Sequence, residues 1–236
     1  MGIDYNSIIT TDGLVGYWDA ANPRCYTGTG LTANGLVNVL NGSLVNGVGF
    51  TTSYNGTFTF DGSNDYVDID DFNFNFSNGL TLCAFCYPTA VSNWGRIIDF
   101  GLGQDNENLL LGRYSNSNNF FFEVRNNINT QRLTYSANNE FTANKLHYIS
   151  GVLDGGSPGS GTTGRIYYNG NLISSLYTGS FVVPSTVNRT SNYIARSNWA
   201  ADAYYQGSIY SVQIYNRALS AAEILQNYNA MKARYR

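Results

Sequence analysis

Apolar and polar residues alternate in short runs along most of the chain. Near the C-terminus, Tyr210, Val212 and Ile214 alternate with Ser211 and Gln213. This period of two indicates a β-strand with at least one buried face. Similar runs recur between clusters of Gly, Asn, Ser and Asp, and together they predict an all-β sandwich of two antiparallel sheets. The predicted strands lie within residues 13–20, 57–62, 65–70, 80–88, 96–101, 108–114, 119–126, 131–137, 145–154, 164–177, 191–197 and 207–217.

One helix is predicted, after the last strand. Ser220 and Glu223 have the spacing of a capping box, in which each side chain accepts a hydrogen bond from the other residue's backbone N–H. Leu219 and Ile224 are placed as a hydrophobic staple around this cap. The apolar residues expected on one face of the helix are Ile224, Leu225, Tyr228 and Met231. A two-residue hairpin is also predicted at Asn169-Gly170.

Charge and composition narrow the choice of partners. Only 12% of the 236 residues are charged, about half of the usual ~25%. Aromatic residues make up 15%, which favours a packed core over disorder. The net charge of −3 and the scattered arginines argue against a nucleic-acid partner. No apolar run approaches the ~20 residues of a membrane span, so we expect no membrane insertion.

The cysteines and the first residues indicate the compartment. The chain has three cysteines, Cys25, Cys83 and Cys86, and an odd number argues against a disulfide framework. Cys83 and Cys86 are three apart in one predicted strand, so they point to opposite faces, and we expect buried free thiols. The opening residues have neither the basic nor the apolar part of a signal peptide. We therefore expect synthesis in a reducing cytoplasm.

Several segments together resemble a known family. In chain order they are DGLVGYWDAANP, FTFDGSNDYVDI, LTLCAFCYP, HYISGVLD with GRIYYNGNLI, and YQGSIYSVQIYNRALSAAEI. This order resembles the concanavalin A-like jelly roll of the LamG and pentraxin type, over most of residues 12–230. The resemblance implies a jelly-roll sandwich whose last strand leads into a short docked helix. We therefore expect one domain over residues 12–236, preceded by an N-terminal arm or edge strand over residues 1–11.

The opening segment also resembles LamG-like structural proteins of tailed phages, of the cyanophage-like kind. This resemblance implies a non-enzymatic virion structural or decoration protein on the capsid surface, in a fibre or in a tail appendage. The expected partners are copies of the same chain or other virion proteins, with a host-surface polysaccharide as a further partner. A carbohydrate-binding, lectin-like adhesion module is the alternative, and a glycoside hydrolase is a distant third.

No residue pattern predicts catalysis. A glucanase on this fold would need two carboxylates in an E-x-D-x-x-E strand, which none of the four glutamates provides. Asp68 and Asp70 share one face of a strand whose Val67 and Ile69 face the other way, which is typical of a solvated face. A nucleophile would have to use the single histidine, His147, for which the resemblance implies a packing role in a strand. We expect the protein not to be an enzyme.

Aromatic residues in two predicted loops are the candidate ligand contacts. Flat rings stack on sugars, and Tyr and Trp also anchor protein interfaces. The same rings can instead cover an edge of the sandwich, and the sequence leaves these three roles open. The candidate glycan or interface residues are Trp94, Asn198, Trp199, Tyr204 and Tyr205.

A calcium site is a further candidate, and it rests on the resemblance. The segment GQDNENLLLG is similar to the pentraxin segment in which adjacent Asp and Asn bind calcium. This implies Asp105 and Asn106 as ligands, joined by Asp202 from a second segment. The second segment has one acid where the family pattern has two, and calcium takes six to eight oxygens. We therefore expect no cofactor, with a weak calcium site as the open alternative.

Overall fold

Two antiparallel sheets form the protein in the computed structural model, which describes residues 8–126, 131–155, 163–173, 175–178 and 183–235. The strands of the described residues, in chain order, are β1 (Leu14–Asp19), β2 (Thr32–Ala33), β3 (Gly42–Val45), β4 (Gly49–Thr51), β5 (Thr57–Asp61), β6 (Tyr66–Ile69), β7 (Gly79–Pro88), β8 (Arg96–Gly101), β9 (Leu109–Arg113), β10 (Phe120–Arg125), β11 (Gln131–Ser136), β12 (His147–Asp154), β13 (Gly164–Tyr168), β14 (Asn171–Leu172), β15 (Ser175–Thr178), β16 (Ser191–Ile194) and β17 (Gln206–Tyr215). The predicted all-β sandwich is confirmed.

The strand order is that of a jelly roll, with many neighbours far apart in sequence. The first sheet has the order β14-β13-β12-β7-β17-β5-β4, and β1 also pairs with β17. β17 is long enough to serve two partners on one side, because its first half pairs with β5 and its second half with β1. The second sheet has the order β15-β11-β10-β9-β8-β16-β6-β3-β2.

The main core lies between the two sheets. Strand alternation places Phe122 and Val124 of β10 opposite inward side chains of the first sheet such as Leu82 and Ile149, all fully buried. Gly151 lies so close to the Phe122 ring that an added Cβ would clash with it. A glycine here therefore lets β12 and β10 approach each other.

A second apolar cluster covers the outer face of the first sheet. The helix α1 (Ala221–Met231) and the 3-10 turn Lys232–Tyr235 pack there on side chains such as Phe85 and Tyr148. β7 is therefore buried on both faces, with Cys83 in the outer cluster and Cys86 in the main core. The described structure has both thiols free and buried, as predicted, and Cys25 as well.

The helix begins at the predicted cap. The Glu223 backbone N–H donates to Ser220 Oγ at 3.3 Å, and the Ser220 N–H donates to Glu223 Oε2 at 2.8 Å. Ile224 and Met231 are buried against the sheet. Leu225 is 41% exposed, so its prediction on the buried face is wrong. The step of one residue from Ile224 rotates it about 100° around the helix, so that it lies beside the Gly170 turn instead of beneath the helix.

The predicted N-terminal arm is described only in part. Residues 1–7 lie outside the described residues, and Ile8 and Thr10 contact the protein's own helix. The Thr10 N–H donates to Asn227 Oδ1 at 2.7 Å, and the Tyr215 hydroxyl donates to the Thr10 carbonyl at 3.0 Å. These buried hydrogen bonds tie the start of the described chain to its end.

Candidate functional site

Polar and charged side chains gather on the outer face of the second sheet. In β10, Phe120, Phe122 and Val124 enter the core, so Glu123 and Arg125 point outward. Arg96 of β8 belongs to the same outer face, because it contacts Phe121 of β10 there. Alternation and strand order therefore place these charges together although they are distant in sequence.

Arg96 is enclosed by aromatic rings. Its guanidinium carbon lies 5.2 Å from the centroid of the Trp94 ring, 5.4 Å from Trp199 and 4.8 Å from Phe121. Its Nη1 donates to the Trp94 carbonyl at 2.7 Å, and its Nη2 pairs with Asp202 at 2.8 Å. These contacts fix the orientation of both indoles around one cation.

Arg125 connects the same tryptophan to two carboxylates. Its guanidinium carbon lies 4.8 Å from the Trp199 ring centroid. Its Nε pairs with Glu123 at 2.5 Å, and its Nη1 pairs with Asp105. Trp199 is thus held by two cations, which leaves little freedom for its ring.

Burial changes the protonation of two acids in this cluster. Burial raises the pKa of Glu123 to about 7, against the opposing effect of Arg125 and Arg96. Burial also raises the pKa of Asp99 to about 6, although Arg96 and the Asn198 N–H groups favour its charged form. Four carboxylates share the two guanidinium groups, so the positive charges do not offset the loss of hydration. The cluster as a whole carries no excess of positive charge.

These side chains border an open pocket of about 280 Å³. We call its lining the Trp–Arg face, which consists of Trp94, Arg96, Glu123, Arg125, Trp199 and Asp202. A neighbouring pocket of about 190 Å³ shares Trp199 and Asp202 and reaches Tyr204. Half-buried indoles beside fixed donors and acceptors are suited to a ligand with apolar ring faces and hydroxyl groups.

The five predicted ligand contacts have different positions. Trp94 and Trp199 lie together, as described. Asn198 supports the site from below, since its Nδ2 and backbone N–H donate to Asp99, each at 2.8 Å. Tyr204 lines the neighbouring pocket. The prediction that Tyr205 contacts a ligand is wrong, because its side chain is 2% exposed and packs in the core.

Two of the three predicted calcium ligands are already paired with arginines. Asp105 pairs with Arg125, and Asp202 pairs with Arg96. The Asn106 backbone N–H donates to the side chain of Asn108. In the described parts of the chain no three His, Cys, Asp or Glu side chains are grouped to hold a metal. This arrangement does not fit a calcium ion, because a bound ion would have to displace both guanidinium groups.

The charged half of the site is not among the predicted ligand contacts. Arg96, Glu123 and Arg125 lie within predicted strands, to which no binding role is assigned. The signal was present in NFFFEVRN, where an acid and a base alternate with apolar residues on a strand otherwise buried. Charged side chains facing out from a strongly apolar strand indicate a structured polar surface.

The fold and this site define a class, a lectin-like jelly roll. Residues 61–225 match the family Laminin_G_3, described as the concanavalin A-like lectin/glucanases superfamily. This match takes in more than half of the chain, and the protein belongs to this family. No curated protein matches the sequence.

Solved structures share the fold at low sequence identity. Domain 4 of an extracellular arabinanase from Geobacillus stearothermophilus, in complex with arabinotriose, has a TM-score of 0.66 at 11% identity, over 93% of this chain and 100% of that one. The binding domain of botulinum neurotoxin DC, in complex with SialylT, has a TM-score of 0.68 at 14% identity, over 93% and 52%. A Trypanosoma rangeli sialidase reaches 0.64 at 15% identity, over 96% and 34%.

The chain therefore spans all of the arabinanase domain, about half of the toxin domain and about a third of the sialidase. Structural neighbours of this protein include carbohydrate-binding domains. Among the residues described, no helix has the length and apolar character to cross a membrane.

Proposed function

We propose that the protein is a non-catalytic carbohydrate-binding protein and that the Trp–Arg face holds the sugar. The observation that carries this proposal is the pair of half-buried indoles, Trp94 and Trp199, fixed around Arg96 at the mouth of an open pocket. Preformed aromatic surfaces bind with little loss of conformational entropy. The arabinotriose and SialylT complexes of structural neighbours support the same class of ligand.

The charge of this face favours a neutral saccharide. Its guanidinium groups are already paired with carboxylates, so an added anion would meet the Asp202 carboxylate as well as the Arg125 guanidinium. Sugar hydroxyls can donate to the Asp202 carboxylate and accept from the Arg125 N–H groups. The same polar atoms would therefore serve a neutral ligand without an unpaired charge.

Binding without catalysis is part of this proposal. Glu123 is the acid that comes nearest to a catalytic role, because its pKa of about 7 suits a proton donor. It is only 1% exposed, and Arg125 occupies its Oε1. We expect no release of reducing ends from neutral polysaccharides. Release that the Glu123→Gln variant abolishes would establish a hydrolase instead.

Within this class, the virion role and self-assembly remain our proposals from the sequence resemblance. A low net charge favours contact between copies, because little repulsion keeps them apart. Mass spectrometry of purified phage particles tests the virion role, and light scattering of the purified chain tests the oligomer. If the protein is absent from particles and monomeric in solution, both of these proposals are wrong and the free-lectin alternative is left.

Calorimetric titration with neutral oligosaccharides, arabinotriose among them, tests the binding proposal. Trp199→Ala should weaken binding by roughly tenfold or more, since loss of a stacked ring costs over 1 kcal/mol. Leu31→Ala is the control, because it removes an exposed apolar side chain that is not part of the Trp–Arg face. Equal affinity of the wild type and the Trp199→Ala variant would contradict the proposal.

A further inference from the structure

A second pocket, of about 350 Å³, opens on the outer face of the first sheet. Its floor is formed by the buried rings of Phe85, Tyr210 and Tyr235. Tyr87 and Tyr228 form half-buried walls. We call this pocket the tyrosine groove. The groove lies between the strands β7 and β17 and the C-terminal helical segment, so it is separated from the Trp–Arg face by the whole sandwich.

Both lysines of the chain line this groove. The sequence contains two lysines in 236 residues, Lys145 and Lys232, and the fold brings them together across 87 positions of sequence. Lys232 Nζ lies 5.0 Å from the Tyr228 ring centroid. Among the described side chains that line the groove none is acidic, and neither lysine has an ion pair with a described carboxylate. The groove therefore has an uncompensated positive charge, unlike the Trp–Arg face.

Tyr54 stands at the rim in a conformation that costs energy. Its φ of 55° and ψ of 38° place a bulky residue in the left-handed region, and its side chain is 53% exposed. Backbone strain of this kind clusters at ligand sites. Its ring meets Tyr210 edge-on, with centroids 6.3 Å apart. The strained backbone thus holds an exposed ring above the groove.

The tyrosine hydroxyls supply hydrogen-bonding groups in the same groove as the two lysine ammonium groups. Burial, and then the neighbouring Tyr54 and Tyr87, raise the pKa of Tyr210 to about 12, which keeps its hydroxyl protonated. Tyr54, Tyr87 and Tyr210 all line this one groove. The groove combines ring faces, neutral hydroxyl donors and two ammonium groups.

We propose that the tyrosine groove is a second binding site and that its ligand is an anionic saccharide. The rings accept the apolar face of a sugar, the phenols bind its hydroxyl groups, and the lysines pair with its carboxylate or sulfate. The proposal is independent of the Trp–Arg face, which has a balanced charge and favours neutral sugars.

Calorimetric titration with three defined probes tests this site. The probes are trigalacturonic acid, its full methyl ester and a sulfated disaccharide. The ester keeps the sugar rings and removes the charge, so its affinity should be at least roughly tenfold lower through the loss of charge-assisted contacts. Comparison of the acid with the sulfated probe shows which anionic group the site prefers.

Variants locate the binding. The Lys145→Gln, Lys232→Gln double variant should lose at least roughly tenfold in affinity for the preferred anionic probe, and Tyr54→Ala should weaken it as well. Arg24→Gln, which removes an exposed cation that does not line the groove, should have no effect. Trp199→Ala should also leave this binding unchanged, which separates the site from the one proposed above.

Three results would overturn the proposal. They are no binding of either anionic probe, equal affinity for the acid and its ester, and equal affinity of the wild type and the double lysine variant. Circular dichroism of each variant checks the fold. All five substituted positions have half-buried or exposed side chains, so the fold should persist.

Discussion

At the scale of single residues, His147 is a buried histidine whose hydrogen bonds and ring contacts give it a structural role. Its Nε2 lies 2.7 Å from the Thr142 carbonyl, which only accepts, so Nε2 carries the proton. Its Nδ1 lies 3.1 Å from the Tyr168 hydroxyl and accepts from it. The ring is fully buried and packs edge-on against Phe120. These contacts give His147 the packing role that the family resemblance implies.

The titration of His147 is the prediction at this scale. Burial lowers its pKa to about 4, whereas an unfolded histidine has a pKa of about 6.5. Between these values the unfolded chain binds a proton that the folded chain does not, so this group removes stability as the pH falls from 6.5 through 4. Because the chain has one histidine, proton NMR can follow its ring directly. A folded-state pKa near 6.5 would show a hydrated ring and refute this prediction; the urea-unfolded chain supplies the reference.

At the scale of elements, the C-terminal helix depends on its cap. Ser220→Ala should cost about 1 kcal/mol of unfolding free energy, because the Glu223 N–H loses its acceptor. Ser220→Asp keeps an acceptor and serves as the control. Urea denaturation of both variants measures the effect. An unchanged midpoint for Ser220→Ala would mean that the cap contributes nothing to the stability of the protein.

The loop that carries Asp105 gives a second prediction at this scale. Calcium should not raise the melting temperature, because Arg125 already holds the Asp105 carboxylate. Differential scanning calorimetry with calcium and with a chelator makes the comparison. A rise of several degrees that is lost in Asp105→Ala would restore the calcium site. Asp71→Ala, which alters a carboxylate outside the proposed ligands, is the control.

Elements were more predictable than the site, for a physical reason. The strand period, the capping box and the Asn169-Gly170 turn are local patterns, and each is present where it was expected; both turn residues have positive φ, 49° and 85°. The short strands β2, β3 and β4 lie outside the predicted strands, since their Gly- and Asn-rich surroundings resemble turns. The Trp–Arg face depends on the order β10-β9-β8-β16, which brings distant segments together. Alternation alone does not determine that order.

At the scale of the whole molecule, the sandwich presents two unlike surfaces. The outer face of the second sheet has indoles and balanced charges, and the outer face of the first sheet has phenols and both lysines. The same two-sheet core separates and supports them. A single chain could therefore hold a neutral and an anionic saccharide at once, which would let it bridge two parts of a glycan surface.

The central claim is that the Trp–Arg face binds a neutral saccharide. The chain has three tryptophans, so 5-fluorotryptophan labelling gives three fluorine resonances, which Trp94→Phe and Trp199→Phe variants assign. Trp18 is an internal control, because it is 3% exposed and its Nε1–H donates to the Leu40 carbonyl in the core. On titration with a neutral oligosaccharide that calorimetry shows to bind, the account predicts that the Trp94 and Trp199 resonances shift and that of Trp18 does not. If the saccharide saturates the protein and neither the Trp94 nor the Trp199 resonance shifts, the claim is contradicted.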